Sequence, residues 1–187
     1  KYYLFIGKAT PFTSGTSGGT DTAPPTPSDS VTNDYYYWDA MTGANAIAAS
    51  DVSFTIPRRN WANATTFDMY EHDVGASNTA TSGATNLYNS TFYFVTADYR
   101  VYKVLDNNGG TAYSGVEPTS TSATPFFLGG YYLQYMYSLS ASEIDKFLTT
   151  DFLHVSTDST VSAAAVDGAV DVVRVTGGSG YTDGTYY

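Results

Sequence analysis

Short runs of aromatic and β-branched residues, separated by clusters of Gly, Ser, Thr, Asn and Pro, recur along the chain. Such punctuation marks a mainly β protein. The pattern predicts strands at Tyr2–Ile6, Val52–Ile56, Thr91–Thr96, Arg100–Leu105, Tyr131–Leu139, Phe152–Val155 and Ala169–Val175. The stretch Phe92–Leu105 reads as a hairpin joined through Ala97 and Asp98. Two helices are expected. In the first, Asn33 or Thr32 caps a segment through Met41, with Asp34 near the positive end of the dipole and Gly43 closing it. In the second, Ser140 and Glu143 form a capping box before Ile144, Phe147 and Leu148. The fold class is therefore mainly β (α+β), a β-sandwich-like domain with a few short helices and long surface loops.

Three stretches, Thr13–Ser30, His72–Ser90 and Asp106–Pro125, are polar and lack helix or strand periodicity. Connections in compact domains usually run ~4–6 residues, and longer ones are disordered or used for binding. The Ala23–Pro27 run, APPTP, is stiffened toward polyproline II and is expected to lie as a rigid arm over the surface. Beyond Val155 the composition shifts to Ser, Ala, Val and Asp, then to a Gly-rich aromatic tail. The expected organisation is one β-rich domain over 1–155 and the start of a further β unit over 156–187, within a longer polypeptide.

One hexapeptide, IPRRNW at Ile56–Trp61, concentrates a strand end, two cations and an indole. Pro57 lacks a backbone donor, so the apolar alternation before it should stop there. Neighbouring side chains of an extended segment point to opposite sides. One of Arg58 and Arg59 is thus expected to tie the loop down by an intrachain ion pair, and the other, with Trp61, to anchor an interface. The run from Tyr131 to Tyr137 divides similarly. Alternation puts Tyr131, Leu133, Tyr135 and Tyr137 on one face and Tyr132, Gln134 and Met136 on the other. That fits either a strand buried on both sides or a contact surface.

Composition narrows the classes. At 187 residues the chain is long enough for a hydrophobic core without staples. It has no cysteine, which removes disulfides, thiolate nucleophiles and Cys-type zinc sites. A formal charge of −10 is the wrong sign for gripping a phosphate backbone, so no nucleic-acid partner is expected. No apolar run approaches the ~20 residues needed to span a bilayer, so no membrane partner is expected either. The 18 Tyr, 10 Phe and 2 Trp suit strands and wet contact surfaces.

Motifs for chemistry are weak. Gly15–Gly19 satisfies G-x-S-x-G around Ser17, but lies in a Ser/Thr/Gly loop rather than a strand–turn–helix. His72 and His154 fall in separate segments with no supporting pattern for metal or acid–base work. The DNNGG run at Asp106–Gly110 fails the calcium-loop spacing and reads as a tight turn. Gly177–Gly184 lacks the Lys-Ser/Thr of a phosphate loop. No catalytic, cofactor-binding or metal-binding residue is assigned, and no enzyme is expected.

Five ordered segments then carry a resemblance: FIGKATPF (Phe5–Phe12), APPTPSDSV (Ala23–Val31), IPRRNW (Ile56–Trp61), RVYKVLD (Arg100–Asp106) and GYYLQYMYSL (Gly130–Leu139). With these spacings the chain resembles the baseplate wedge subunit of contractile-tailed, T-even-like bacteriophages over about Tyr2–Val155. The resemblance implies a virion structural protein that dimerises and bridges the wedge core to peripheral tail parts. It also implies assembly in the host cytoplasm and a final place in the tail baseplate. Its pattern falls here on Pro24, Pro25, Pro27, Asp29, Ser30, Pro57, Arg58, Arg59, Trp61, Gly130, Tyr131 and Tyr135. Of these, Arg58, Arg59, Trp61, Pro24, Pro25, Tyr131 and Tyr135 are the interface candidates. The competing class is an aromatic-rich glycan-binding module of a tail fibre or surface protein.

Overall fold

The computed structural model describes residues 2–7, 19–24, 26, 38–166 and 168. Eight strands form three antiparallel sheets: β1 (Tyr2–Ile6) with β2 (Gly43–Ile47), β3 (Phe54–Pro57) with β8 (Phe152–Val155), and a four-stranded sheet. The last has the order β4 (Tyr93–Val95), β5 (Arg100–Asp106), β7 (Tyr131–Ser138), β6 (Phe126–Leu128). Besides a helical turn at 38–40, two α-helices have both ends among the described residues, α1 (Ala141–Phe147) and α2 (Ser159–Ala164). The chain divides into two units, Lys1–Val155 and Ser156–Tyr187. In the second, α2 is the one described element.

Six of the expected strands are present, and β1 and β8 match to the residue. The strand expected at Ala169–Val175 and the cap of the first expected helix lie outside the described residues. Of that helix, Trp38–Ala40 is described and helical. The second helix is present with its capping box: Ser140 Oγ accepts from the Glu143 amide, and Glu143 Oε2 accepts from the Ser140 amide at 2.7 Å. Two strands escape the pattern. β2, GANAI, has few residues of high β propensity, and β6 is three residues squeezed between Pro125 and a glycine pair. Gly129 and Gly130, both at positive φ, turn β6 into β7. A Cβ on Gly129 would sit 2.4 Å from the Tyr113 ring.

Strand alternation gives the central sheet a core on each face. Phe94, Tyr102, Val104, Tyr131 and Leu133 face a cluster closed by Phe67 and Tyr113 from irregular segments. Tyr93, Val95 and Val101 face the other cluster, closed by Leu153 of β8, Ile56 of β3 and Leu139, Ile144 and Leu148 around α1. The β3–β8 sheet thus stacks on the four-stranded one, the sandwich-like element of the fold. The expected single face for Tyr131, Leu133, Tyr135 and Tyr137 is corrected by a bulge. Tyr135 pairs with Tyr102 and Tyr137 with Val101, so Met136 is an extra residue and Tyr137 crosses to the second core.

The long loops 72–90 and 106–125 are not free arms, because buried polar groups organise them. Asp68, 1 % exposed, accepts four hydrogen bonds: Ser82 amide 2.6 Å, Ser82 hydroxyl 2.7 Å, Ser90 hydroxyl 3.0 Å and Thr91 amide 2.7 Å. Asn107 donates to the Phe67 carbonyl and Thr81 hydroxyl and accepts from the Gly110 amide. Five tyrosines send their hydroxyls out of the cores to backbone carbonyls. Tyr93 reaches Pro57, Tyr102 reaches Ser120, Tyr113 reaches Val116, Tyr131 reaches Thr111 and Tyr137 reaches His154, all at 2.7–2.9 Å.

Two predictions follow from these anchors. Burial pushes the Asp68 carboxyl upward, but its hydrogen bonds outweigh that and hold it below its ordinary value. Its stabilisation is therefore present above the unfolded carboxyl value and lost as pH falls through the lowered folded one. Asp68→Asn should cost about 2–4 kcal/mol in urea unfolding at neutral pH, with the deficit shrinking on acidification. A variant as stable as the parent would show that the loop does not depend on this carboxylate. On the alkaline side, burial raises Tyr93, Tyr102, Tyr131 and Tyr137, and takes Tyr113 from 10.0 to about 12. Stability should be intact below pH 10 and fall steeply from there toward about 12. Tyr113→Phe should lose about 1 kcal/mol at neutral pH yet flatten that alkaline fall.

Candidate functional site

Segment Pro57–Trp61 joins the two stacked sheets. Pro57 ends β3, and just beyond it the Arg58 amide still donates to the Asp151 carbonyl next to β8. The chain then runs beside β4 as a short parallel partner, with Val95 at the bridge. The Val95 amide donates to the Arg59 carbonyl and the Trp61 amide to the Val95 carbonyl, both at 2.8 Å. An otherwise open sheet edge is closed by the motif's own backbone.

The two arginines do point to different neighbours, as alternation requires, but both end within the chain. Arg58 donates its amide to the Asp151 carbonyl at 2.8 Å, Nη1 to the Thr149 carbonyl at 3.0 Å and Nε to Asn60 Oδ1 at 2.9 Å. Arg59 donates Nη2 to the Tyr88 carbonyl at 2.9 Å and lies over the Tyr93 ring, 5.7 Å from its centre. The expected intrachain ion pair is thus replaced by carbonyl acceptors, and among the described residues neither arginine bridges to a carboxylate. Burial raises the Tyr93 hydroxyl, and the Arg59 charge offsets part of that rise. Trp61 is half-buried against the first core, edge-on to Tyr113 at 5.8 Å.

The other candidates separate. Tyr131 is 0 % exposed, donates its hydroxyl to Thr111 and accepts from the Phe67 amide, so it holds the core and offers no surface to a partner. Tyr135 is half-buried against Tyr102, with its hydroxyl beside Ser138. Pro24 is exposed just after the Thr20–Ala23 turn, and Pro25 lies outside the described residues.

No catalytic assembly emerges from the candidate motifs. Ser17 lies outside the described residues. His72 is exposed beside Asp73, whereas His154 is buried and contacts Ser53 and Glu143, so the two histidines share no partner. The run at Asp106–Gly110 is a tight turn, with Asn108, Gly109 and Gly110 at positive φ. Among the described residues no cluster of three or more His, Asp or Glu is placed to hold a metal ion, and no helix is long and apolar enough to cross a membrane.

Two exposed apolar surfaces were not singled out by the motifs. On β1, Tyr2, Tyr3, Leu4, Phe5 and Ile6 are all exposed, and Leu4 and Ile6 line a shallow groove with Gly43, Ala44 and Asn45 of β2. On the edge strand β6, Phe127 is exposed and packs on Tyr132 with ring centres 4.4 Å apart. The signal on β1 was present as five consecutive apolar residues, but strand pattern alone does not say how exposed their side chains are.

The family model described as Bacteriophage T4, Gp8 matches residues 1–124, which takes in the PPTP run, the Pro57–Trp61 joint and the β4–β5 hairpin. Nothing among curated proteins and nothing among solved structures matches the chain. The chain belongs to the bacteriophage T4 Gp8 family, and is a structural subunit of the baseplate wedge in T4-like phages.

Proposed function

We propose that this chain works as a connector, forming subunit–subunit contacts that link the wedge core to peripheral tail parts, as a homodimer and without catalysing a reaction. The family match over 1–124 carries the reading. The geometry supports it in two ways. The functional motif is used to build a joint rather than a reactive cleft, and exposed apolar surfaces on β1 and β6 are available for contact. The charge of −10 argues against a nucleic-acid partner. Assembly takes place in the host cytoplasm before the subunit enters the virion.

Within the motif, Arg58 is the arginine we assign to a partner. Arg59 has a buried Nε and is packed on Tyr93, whereas Arg58 keeps Nη2 outside its three bonds. Trp61 and Tyr135, both half-buried, and Pro24 and Pro25 lie in the remaining candidate contact regions.

The decisive experiment is quantitative mass spectrometry of purified virions. The expected result is a constant ratio of this chain to the other baseplate proteins, matching the rotational symmetry of the baseplate. Absence of the chain from particles overturns the connector role. The arginines give a second prediction. Arg59→Ala should cost about 1–3 kcal/mol of stability. Arg58→Ala should cost under about 1 kcal/mol yet reduce incorporation into particles several-fold. Normal incorporation of the Arg58→Ala chain would remove Arg58 from the interface.

A further inference from the structure

The turn after β5 sets two asparagines side by side in opposite circumstances. Asn107 is 2 % exposed, and its carboxamide is tied at both ends. Nδ2 donates to the Phe67 carbonyl at 3.0 Å and the Thr81 hydroxyl at 3.1 Å, and Oδ1 accepts from the Gly110 amide at 3.1 Å. Asn108 is exposed, and among the described residues its carboxamide has no hydrogen-bond partner. The residue that follows is Gly109, and no other asparagine in the sequence precedes a glycine.

An asparagine carboxamide holds an electrophilic carbon within reach of the next backbone nitrogen, and joining the two closes a five-membered ring. A hydrogen bond on that nitrogen, or a side chain beside it, opposes the closure. Gly109 has neither. Its amide has no hydrogen-bond partner among the described residues, and a Cβ built there meets nothing within 4 Å, so water reaches the nitrogen. The peptide plane joining 108 to 109 is held on its carbonyl side alone, by the Thr111 hydroxyl at 2.9 Å and the Thr111 amide at 3.4 Å. Turning the Gly109 nitrogen toward the carboxamide therefore gives up two bonds at an exposed turn and nothing in either core. Other asparagines are followed by engaged amides: Trp61 after Asn60 donates to the Val95 carbonyl, Ala64 after Asn63 to Tyr113, and Ser90 after Asn89 to Asn86.

We propose that Asn108 is a self-modifying site, converted in the folded protein to aspartate and isoaspartate through a cyclic imide. The Gly109 nitrogen, its proton taken by hydroxide, bonds to Asn108 Cγ. The Cγ–Nδ2 bond breaks, and Nδ2 leaves as ammonia with a proton from water. Water then opens the ring. Cleavage at Cγ restores the ordinary backbone with an aspartate side chain, and cleavage at the main-chain carbonyl routes the backbone through Cβ and Cγ as isoaspartate. Water is consumed, ammonia is released, and nothing is oxidised or reduced.

Both products place a new carboxylate beside Asp106, whose Oδ1 accepts the Asn108 amide at 2.8 Å. Isoaspartate also lengthens the main chain by a methylene just ahead of Gly110, where packing is close. A Cβ on Gly110 would lie 2.9 Å from Thr81 Cγ2, and the Gly110 amide holds Asn107. Because Asn107 in turn holds Phe67 and Thr81, the change is passed from the 106–125 loop to the 72–90 loop.

The test incubates the folded 187-residue chain in mildly alkaline 18O-labelled water and maps its peptides by mass spectrometry, with an isoaspartyl methyltransferase as a second label. Label should enter position 108 at least about tenfold faster than Asn107, whose carboxamide is tied and whose next residue carries a side chain. Conversion of Asn108 in urea but not in the folded chain would show that the fold withholds the reaction and overturn the proposal. Equal rates at 107 and 108 would overturn it too, because the turn would then not choose the site. Asn108→Gly, which suits the positive φ of 53° and has no carboxamide, should lose the methyl label. A label that persists undiminished in that variant assigns the reaction to another residue.

Discussion

A buried phenol must find an acceptor, and that requirement organises much of this molecule. Five tyrosines of the two cores place their rings among apolar side chains and their hydroxyls on backbone carbonyls of irregular segments or neighbouring strands. Each ring gains from leaving water, while each hydroxyl fixes a stretch of chain that has no ladder of its own. A phenylalanine would fill the same volume and leave both the carbonyl and the loop unheld. These five tyrosines are thus architectural, the strand-building side of a residue type that also suits wet contact surfaces. Asp68 and Asn107 do the same work with stronger acceptors and shorter reach, gathering 72–90 and 106–110 against the first core.

The Pro57–Trp61 joint depends on this arrangement and completes it. Its backbone closes the β4 edge through Val95, its proline carbonyl receives the Tyr93 hydroxyl, and its arginines hold the carbonyls of Thr149 and Tyr88. Nearly every residue of the segment therefore binds a different element. Ion pairs would have been a natural use for adjacent arginines, yet carbonyl acceptors suit the position better. Each half-buried guanidinium keeps a carbonyl partner there, although the buried Arg59 Nε has none, without a second charge having to be desolvated. The sandwich and the loop system are consequently coupled through this segment, which is why a motif first read as one inward tie and one outward anchor has both arginines bonded within the chain.

Local signals were legible where one element decides its own structure. The Ser140–Glu143 box marks α1, the stop at Pro57 marks the end of β3, and aromatic alternation marks β4, β5 and β8. What required the third dimension was register. The bulge at Met136 sends Tyr135 and Tyr137 to opposite cores, and no spacing rule places it there. The pairing of Thr55 with His154 brings Ser53 and Glu143 to one imidazole from positions about a hundred residues apart. β2 was invisible because its small residues are drawn into a strand by β1 rather than by their own propensity. The family resemblance was readable because it rests on ordered segments, whereas the burial of Tyr131 depends on how those segments close over it.

Charge then constrains what the finished surface can meet. Of the eight Lys and Arg, five lie among the described residues. Each has a partner within the chain: Arg58 and Arg59 on carbonyls, Arg100 on Asp98, Lys103 over the Tyr70 ring and Lys146 on Asp51. The positive charge of the described fold is thus committed internally, while eighteen carboxylates set the sign of the whole chain. Like-charged approaches are costly at an interface, so a neighbour in the baseplate must meet this subunit either with basic groups or through uncharged surface. β1 and β2 carry no ionisable carboxylate or cation within Tyr2–Ile6 and Gly43–Ile47, and Phe127 and Tyr132 form a second uncharged patch. An acidic protein that shows its apolar side chains where its charge is absent has confined the places at which another subunit can bind without repulsion.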